Sequence, residues 1–303
     1  MVVLVTGANG QLGQAIQSIS GKYPEIDFVF CSFSELDITN FENCQAVFST
    51  YQPHFCINTA AYTAVDKAES EPAKAFDINA NGAENLAITC KKHNTILIHI
   101  STDFVFDAYF SEGIAYYDRE LRLPLKSNLG LTETDVPFPS GIYGLTKLQG
   151  EQVIQANFEK HFIIRTSWVY SQFGNNFMKT MLRLASERDT LSVVSDQIGT
   201  PTNAVDLAEV LIVIMVSSFK FQVSSFGIYN FSNEGQCSWY DFAKEIFHQK
   251  GVSIDLKPIP TSAYPTPAKR PAYSVLDKTK IKSTFGVEIK EWQTSLATCI
   301  NQL

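Results

Sequence analysis

The sequence has no long apolar run and no excess of positive charge. Its most membrane-like stretch, Val210–Val216, is far shorter than the roughly 20 residues that a spanning helix needs. Lys and Arg total 24 against 31 Asp and Glu, and the resulting net charge of -7 repels a phosphate backbone. Met1–Val5 lacks the basic segment and the length of a secretory signal. We therefore expect neither a membrane nor a nucleic acid as partner, and we expect the chain in the cytoplasm.

Motifs that pair cysteines or bind metals are also missing. The six cysteines show no CxxC spacing, and the five histidines show no HxxxH spacing. A chain of 303 residues is long enough to bury a core without disulfide bonds. The sequence therefore predicts buried, reduced thiols and no metal site.

Short apolar runs alternate with amphipathic stretches through the first half of the chain. The runs are continuous in hydrophobicity, which is typical of parallel strands covered on both faces. This order predicts an α/β fold with a doubly wound parallel sheet of the Rossmann type. The predicted strands are Val2–Val5, Phe28–Cys31, Phe55–Asn58, Thr95–Ser101 and Phe162–Thr166, and the amphipathic stretches include Pro72–Lys92 and Thr146–Lys160.

Three glycines follow the first predicted strand. Gly7, Gly10 and Gly13 form a GxxGxxG pattern, where a missing side chain lets the backbone turn and approach a pyrophosphate at a helix N-terminus. Turn and packing roles would explain the same residues, so the pattern alone leaves both interpretations open. The tip of the second strand, Cys31–Ser34, carries neither an acidic group for a ribose hydroxyl nor a basic group for a 2′-phosphate. The choice between NAD(H) and NADP(H) therefore stays open.

The second half of the chain has a looser pattern than the first. We predict a dinucleotide-binding domain over residues 1–166, completed by parts of 200–232. A smaller, irregular α+β lobe over residues 167–303 is expected to bind the substrate. Its predicted helices lie near residues 176–188, 205–217 and 238–250.

Two segments are expected to lie outside regular structure. Residues 258–271 contain five prolines, which predict a surface loop. Residues 107–139 show no clear periodicity and are long for a connection. Such a length suggests a lid or an insertion.

A Tyr and a Lys stand at YxxxK spacing at the start of an expected helix. Tyr143 and Lys147 fall on one helix face, and the ammonium is expected to lower the pKa of the phenol so that it can exchange a proton near neutral pH. The strand that ends at Ile98–Asp103 places Thr102 at the carboxyl edge of the sheet, within reach of a reacting oxygen. An ordinary surface pair and a capping residue are the alternatives that the spacing leaves open.

A series of longer segments then carries a family resemblance. In order they are GANGQLG, LDIT, NTAAYTAVDKAE, STDFVF, YGLTKLQGE, RTSWVY, GNNFMKTMLRLA, DQIGTPT and AYPTPAKRPAYSVLD. The chain resembles the dTDP-4-dehydrorhamnose reductases, which are extended short-chain dehydrogenases/reductases, from residue 1 to about residue 295. The glycine loop and YxxxK are shared by the whole superfamily, whereas the later segments are specific to this family. The resemblance implies NAD(P)H-dependent reduction of the C4 ketone of dTDP-4-dehydro-L-rhamnose to dTDP-L-rhamnose.

The resemblance also implies roles for individual residues. Tyr143 would give the proton to the developing alkoxide, Lys147 would hold the nicotinamide ribose, and Thr102 would polarise the same oxygen. The remaining cofactor contacts would be Gly7, Gly10, Gln11, Leu12 and Gly13 at the pyrophosphate, Asp37 and Ile38 at the adenine, and Ala61, Tyr62 and Thr63 along the rest of the cofactor. The remaining substrate contacts would be Asp103 and Trp168 at the sugar nucleotide, and Asn175, Asn176, Lys269 and Arg270 at the dTDP end.

Two positions depart from the family pattern. Residues 109–129 form a longer stretch than the family has there, so substrate entry or specificity is expected to differ. Some relatives use an acidic residue after the glycine loop in a magnesium-linked dimer contact, where this chain has Ala15. A homodimer without that metal is the expectation.

Two other functions fit the same sequence. One is a reductase or epimerase that acts on another nucleotide-linked keto sugar, because a few pocket contacts decide the substrate. The other is a non-catalytic regulatory subunit that keeps the fold and the cofactor crevice.

Overall fold

The computed structural model describes residues 1–106, 130–220 and 225–303. The sequence-predicted stretch at 109–129 lies outside these residues. Within them, the largest element is a parallel sheet of six strands. These strands are β1 (Val2–Thr6), β2 (Asp27–Cys31), β3 (Phe55–Asn58), β4 (Ile96–Thr102), β5 (His161–Thr166) and β10 (Gly227–Asn230). They lie in the order β2-β1-β3-β4-β5-β10, with every neighbouring pair parallel. The order of the strands reverses between β1 and β3, so the predicted doubly wound parallel sheet is confirmed.

Helices connect these strands and continue through the second half. They are α1 (Gln11–Ser20), α2 (Phe41–Tyr51), α3 (Val65–Ala68), α4 (Pro72–Phe76), α5 (Gly82–His93), α6 (Ile142–Asn157), α7 (Phe177–Glu187), α8 (Ala204–Lys220), α9 (Trp239–Lys250), α10 (Thr279–Phe285) and α11 (Trp292–Ile300). A π-helical turn, Asp77–Asn81, joins α4 to α5. Short 3₁₀ turns cover Asp103–Phe106 and Thr261–Ala263.

The central sheet is covered on both faces. Val3 and Val5 of β1 belong to a buried cluster with α1 and α8, whereas Leu4 belongs to a second cluster with α2, α5 and α6. Successive side chains of a strand point to opposite faces, so both faces need apolar residues. This arrangement explains the continuous hydrophobic runs of the sequence.

A third apolar cluster lies in the second half of the chain. It joins α7, α9 and α11 through Met178, Phe242, Trp292 and Leu296. The capping box at the start of α9 shows why this helix begins where it does. The Ser238 hydroxyl accepts from the Asp241 backbone amide, and the Asp241 carboxylate accepts from the Ser238 backbone amide.

Short strands flank the sheet in the second half. They are β6 (Val169–Tyr170), β7 (Thr190–Val194), β8 (Ile198–Gly199), β9 (Thr202–Asn203), β11 (Cys237–Ser238) and β12 (Asp255–Ile259). They pair in twos, β6 with β9, β8 with β11 and β7 with β12. The prediction of a loop over residues 258–271 was therefore wrong for Pro258 and Ile259, which end β12. A proline is tolerated there because β12 is an edge strand.

Among the described residues there is neither a candidate membrane-spanning helix nor a disulfide bond. In residues 1–106, 130–220 and 225–303, no helix is long and apolar enough to cross a bilayer. The six cysteines all lie within these residues, where they are buried with unpaired thiols.

Candidate active site

The glycine loop after β1 is shaped by backbone contacts that leave no room for side chains. Gly7 has φ +62°, and a Cβ there would lie 2.8 Å from backbone atoms of Ala60. A Cβ on Gly13 would lie 2.6 Å from the carbonyl oxygens of Gly7 and Ala8. Gly10 caps α1 without a side chain, so the first amides of the helix remain available to an anion. The packing role and the pyrophosphate role suggested by the sequence are therefore compatible.

A crevice of ≈ 290 Å³ lies beside this loop. It is at the carboxyl ends of β1 and β3, where the order of strands reverses and α/β sheets bind ligands. None of the described residues that line it is Lys or Arg. Its lining includes the predicted cofactor residues Gly7, Gly10, Asp37, Ile38 and Ala61, together with Asn9, Phe33, Leu36, Thr39, Thr59, Ala60 and Ile78, which the sequence analysis missed. Glycine backbone, a helix N-terminus and apolar walls fit the pyrophosphate and adenine of a dinucleotide.

Other predicted cofactor residues lie around the crevice without lining it. Gln11 donates to the Val169 carbonyl at 3.0 Å and accepts from Asn176 at 2.7 Å, which ties the glycine loop to the second half of the chain. Leu12 is buried in the core. Tyr62 donates its phenol proton to Glu71 at 2.8 Å, and Thr63 is exposed. Their contacts with a cofactor stay predictions.

Thr102 and Tyr143 meet at the carboxyl edge of β4. Thr102 ends β4, and Tyr143 stands in the first turn of α6. The Thr102 hydroxyl donates to Asp103 at 3.1 Å and accepts from the Phe104 amide at 3.2 Å, and it lies near enough to the Tyr143 phenol to lower the pKa of that group in part. The Phe104 ring packs edge-on against Tyr143, with centroids 5.5 Å apart. A phenol and a hydroxyl thus share one site, as a proton donor and its partner would.

The pKa of Tyr143 moves in the direction opposite to the one that the sequence suggested. Burial raises it to about 12, the Thr102 hydrogen bond lowers it in part, and the Asp103 charge raises it. The expectation that Lys147 brings this pKa towards neutrality was therefore wrong for the ligand-free protein. The reason is that Lys147 Nζ donates to the Ile100 carbonyl at 2.6 Å and is itself buried, which lowers its pKa to about 8 despite the neighbouring Glu151.

A buried ion pair anchors α6, the helix that carries both residues. Arg165 of β5 donates to the two carboxylate oxygens of Glu151 at 2.9 Å and 2.6 Å. Ser101 of β4 donates to the same carboxylate at 2.5 Å. This bidentate pair fixes α6 against β4 and β5 one turn beyond Lys147.

Trp168, a predicted substrate contact, is held in a strained conformation. Its φ is +47°, which is uncommon for a bulky residue. Its indole stacks on Trp239 at a centroid distance of 3.6 Å and an angle of 11°. A Cβ on Gly199 would lie 2.6 Å from that indole. Trp239 and Gly199 carry no signal of this contact in the sequence, because only the fold brings them to Trp168.

The other predicted substrate residues are spread more widely. Asp103 is buried next to Thr102, and Asn175 is exposed. Asn176 caps α7 by accepting from the Lys179 amide at 3.1 Å, so it has a structural role besides the predicted contact. Lys269 is exposed, and Arg270 pairs with Asp66 of α3 at 2.8 Å. These substrate contacts stay predictions.

The fold and this site together define a class of protein. A doubly wound sheet with a glycine loop after its first strand, and with Thr, Tyr and Lys at the carboxyl edge, is the arrangement of the short-chain dehydrogenases/reductases. The family model for the RmlD substrate binding domain matches residues 1–303, and the chain belongs to that family.

Named relatives agree with this assignment along the whole chain. The dTDP-4-dehydrorhamnose reductase of Aggregatibacter actinomycetemcomitans is 41% identical over 300 residues, which cover 97% of this chain and 96% of the relative. The crystal structure of a dTDP-4-dehydrorhamnose reductase from Clostridium acetobutylicum is 39% identical with a TM-score of 0.87, and the match covers 100% of this chain and 99% of that one. The enzyme of the same name from Bacillus anthracis, solved in complex with NADP, is 37% identical with a TM-score of 0.87 and the same coverage. The predicted family resemblance is therefore confirmed.

Proposed function

We propose that this chain reduces the C4 ketone of dTDP-4-dehydro-L-rhamnose with NADPH or NADH and forms dTDP-L-rhamnose. The observation that carries the proposal is the Thr102–Tyr143 pair at the same carboxyl edge of the sheet as the glycine crevice, in a chain that matches reductases of this name along its whole length. Asp103, Trp168, Asn175, Asn176 and Arg270 are the residues that we propose as substrate contacts.

The residues of this chain supply the proton and the fixed dipoles of the reaction. A bound reduced nicotinamide supplies the hydride to the sugar carbon. Because its pKa is raised to about 12, the Tyr143 phenol is protonated at neutral pH and can donate to the oxygen as the ketone becomes an alcohol. The Thr102 hydroxyl, at the end of β4 near that phenol, would orient the same oxygen. Lys147 would hold the nicotinamide ribose.

A substrate panel tests this proposal. The purified chain is mixed with 4-keto sugars linked to dTDP, UDP or GDP, and the loss of NADPH or NADH absorbance is followed. We expect the dTDP-linked sugar to be reduced with the highest kcat/KM. A strong preference for a UDP- or GDP-linked ketone would show instead that the chain is a reductase of another nucleotide sugar. A chain that binds the cofactor but reduces none of them would favour the regulatory subunit.

The proposal includes the setting in which the enzyme works. We propose a homodimer in the cytoplasm, as is expected of reductases of this kind. Ala15 lies on the face of α1 that packs into the core, and it is fully buried. Its methyl group cannot bind a metal at a dimer contact. Light scattering of the purified chain measures its mass in solution. A monomer at micromolar concentration would contradict the proposed homodimer.

A further inference from the structure

A row of buried polar side chains connects the strand before the glycine loop to Lys147. The Thr6 hydroxyl donates to Asn58 Oδ1 at 2.6 Å, and Asn58 Nδ2 lies 3.0 Å from His99 Nδ1. His99 Nε2 lies 3.2 Å from Lys147 Nζ. The exposed fractions of these four residues do not exceed 2%. In such a buried row each donor must face an acceptor, because bulk water cannot reach and hydrogen-bond a group that lacks a partner.

The backbone fixes the polarity of this row. The Ala60 amide, which can only donate, lies 3.2 Å from Asn58 Oδ1. The Asn58 oxygen must therefore face Ala60 and Thr6, which leaves Asn58 Nδ2 as the donor to His99 Nδ1. A ring nitrogen that accepts carries no proton, so the neutral His99 ring must carry its proton on Nε2. That N–H points at Lys147 Nζ.

We propose that Asn58 locks His99 in its neutral Nε2–H form, and that this N–H favours the amine form of Lys147 over the ammonium form. An amine nitrogen offers a lone pair to the His99 N–H, whereas an ammonium nitrogen has only donors and meets the N–H as a second donor. His99 is thus a positioning residue, which acts on the reaction through Lys147. The inference rests on the proposed function for its role in the reaction.

The surrounding charges agree with this assignment. Burial, the Lys147 charge and His161 hold the pKa of His99 well below 6.5, so the ring stays neutral. Burial lowers the pKa of Lys147 to about 8, although Glu151 opposes it. Among the described residues, the titratable groups that act on Lys147 or His99 are Glu151 on α6 and His161 on β5, and Arg165 of β5 pairs with Glu151.

The consequence for the proposed reaction concerns the charge of the side chain that would hold the nicotinamide ribose. An ammonium on Lys147 with a lowered pKa loses a proton more readily than an ordinary lysine. Once Lys147 is an amine, its lone pair accepts from His99 Nε2–H, while one of its N–H groups still donates to the Ile100 carbonyl at 2.6 Å. His99 therefore sets the pH at which Lys147 changes its charge.

Two substitutions of His99 separate this role from packing. In His99→Gln the amide nitrogen can take the place of Nε2 and still donate to Lys147. In His99→Asn the amide oxygen can take the place of Nδ1 and accept from Asn58, but no donor faces Lys147. NMR titration of Lys147 in the ligand-free proteins should give a pKa near that of the wild type for His99→Gln. For His99→Asn, the same titration should give a Lys147 pKa that is higher by about one pH unit, as expected for the loss of one hydrogen bond to the amine.

The wild-type protein provides a second readout that needs no variant. Nitrogen NMR of the His99 ring should show a proton on Nε2 and none on Nδ1. A ring with its proton on Nδ1, or equal Lys147 pKa values in the two variants, would overturn the inference. Because both readouts use the ligand-free protein, they are independent of turnover. Failure to reduce any keto sugar would instead count against the proposed function.

Discussion

At the scale of single residues, the site depends on what burial does to one phenol and one amine. Tyr143 and Lys147 stand one helical turn apart, as the YxxxK spacing predicted. The spacing could not give the direction of the Tyr143 pKa shift. That direction depends on desolvation and on Asp103, which the fold brings to Tyr143. Residue types and spacing therefore identify the chemistry, and burial decides the protonation states.

Replacing Tyr143 by Phe should remove the proton donor and little else. The Tyr143 ring packs on Phe104 and would still do so in Tyr143→Phe, whereas only the phenol carries the proton. We expect turnover to fall by about 10²–10⁴-fold, the usual contribution of general acid catalysis. Cofactor affinity, measured by fluorescence titration, should be unchanged. Tyr51→Phe, at an exposed tyrosine, is the control. Equal turnover in Tyr143→Phe and the wild type would show that Tyr143 is not the proton donor.

At the scale of elements, the five predicted strands match β1 to β5 to within a residue or two at each end. They were predictable because strands buried on both faces leave continuous apolar runs. The stretch Pro72–Lys92 gave only an amphipathic pattern, whereas the structure interrupts it with a π-helical turn at Asp77–Asn81. That turn lets Asn79 bond the Tyr62 backbone and Thr146 of α6. Contacts between distant segments of this kind leave no local signal in the sequence.

The glycine loop gives a prediction about α1. In Gly13→Ala the new Cβ would meet two backbone carbonyl oxygens at 2.6 Å, which cannot move without opening the loop. We expect a loss of about 1–3 kcal/mol in the free energy of unfolding and weaker cofactor binding. Gly21→Ala at the other end of α1 is the control, since no atom lies within 4 Å of its Cβ and its φ is -62°. Urea unfolding and NADPH titration measure both effects, and a Gly13→Ala protein as stable as Gly21→Ala would contradict the packing argument.

The ion pair that anchors α6 gives a second prediction at this scale. Glu151→Gln would leave the Arg165 charge buried without its partner, since both side chains are at most 2% exposed. We expect a loss of about 3–5 kcal/mol in the free energy of unfolding. Glu187→Gln breaks the exposed pair with Arg183 and should cost about 0–1 kcal/mol. Similar urea midpoints for the two variants would show that α6 does not depend on the buried pair.

At the scale of the whole molecule, the second half of the chain is joined to the glycine loop of the first half. Trp168 and Trp239 stack across segments 71 residues apart in sequence, and Gln11 of the glycine loop bonds the Val169 carbonyl. The sequence predicted helices near residues 176–188, 205–217 and 238–250, and the structure has α7, α8 and α9 there. It could not predict which of them approaches Trp168, because that depends on packing across the molecule. The division into two domains stays a prediction.

The buried histidines give the molecule a predictable response to acid. The pKa values of His99 and His161 are held below 6.5, mainly by burial. Below that pH the unfolded chain binds protons that the folded chain does not, so the free energy of unfolding should fall as the pH drops. Urea unfolding across this range should show a smaller fall in His99→Gln than in the wild type. His248→Gln, at an exposed ring, is the surface control. A fall of equal size in His99→Gln and the wild type would contradict this account.

The central claim is the transfer of a hydride from a nicotinamide to C4 of a dTDP-linked sugar. The most direct measurement uses NADPH or NADH deuterated at the transferring position, with dTDP-4-dehydro-L-rhamnose and the purified chain, followed by NMR of the product. We predict dTDP-L-rhamnose that carries one deuterium at C4 of the sugar. Product without deuterium at that carbon, or an unreacted sugar although the cofactor is bound, would contradict the account.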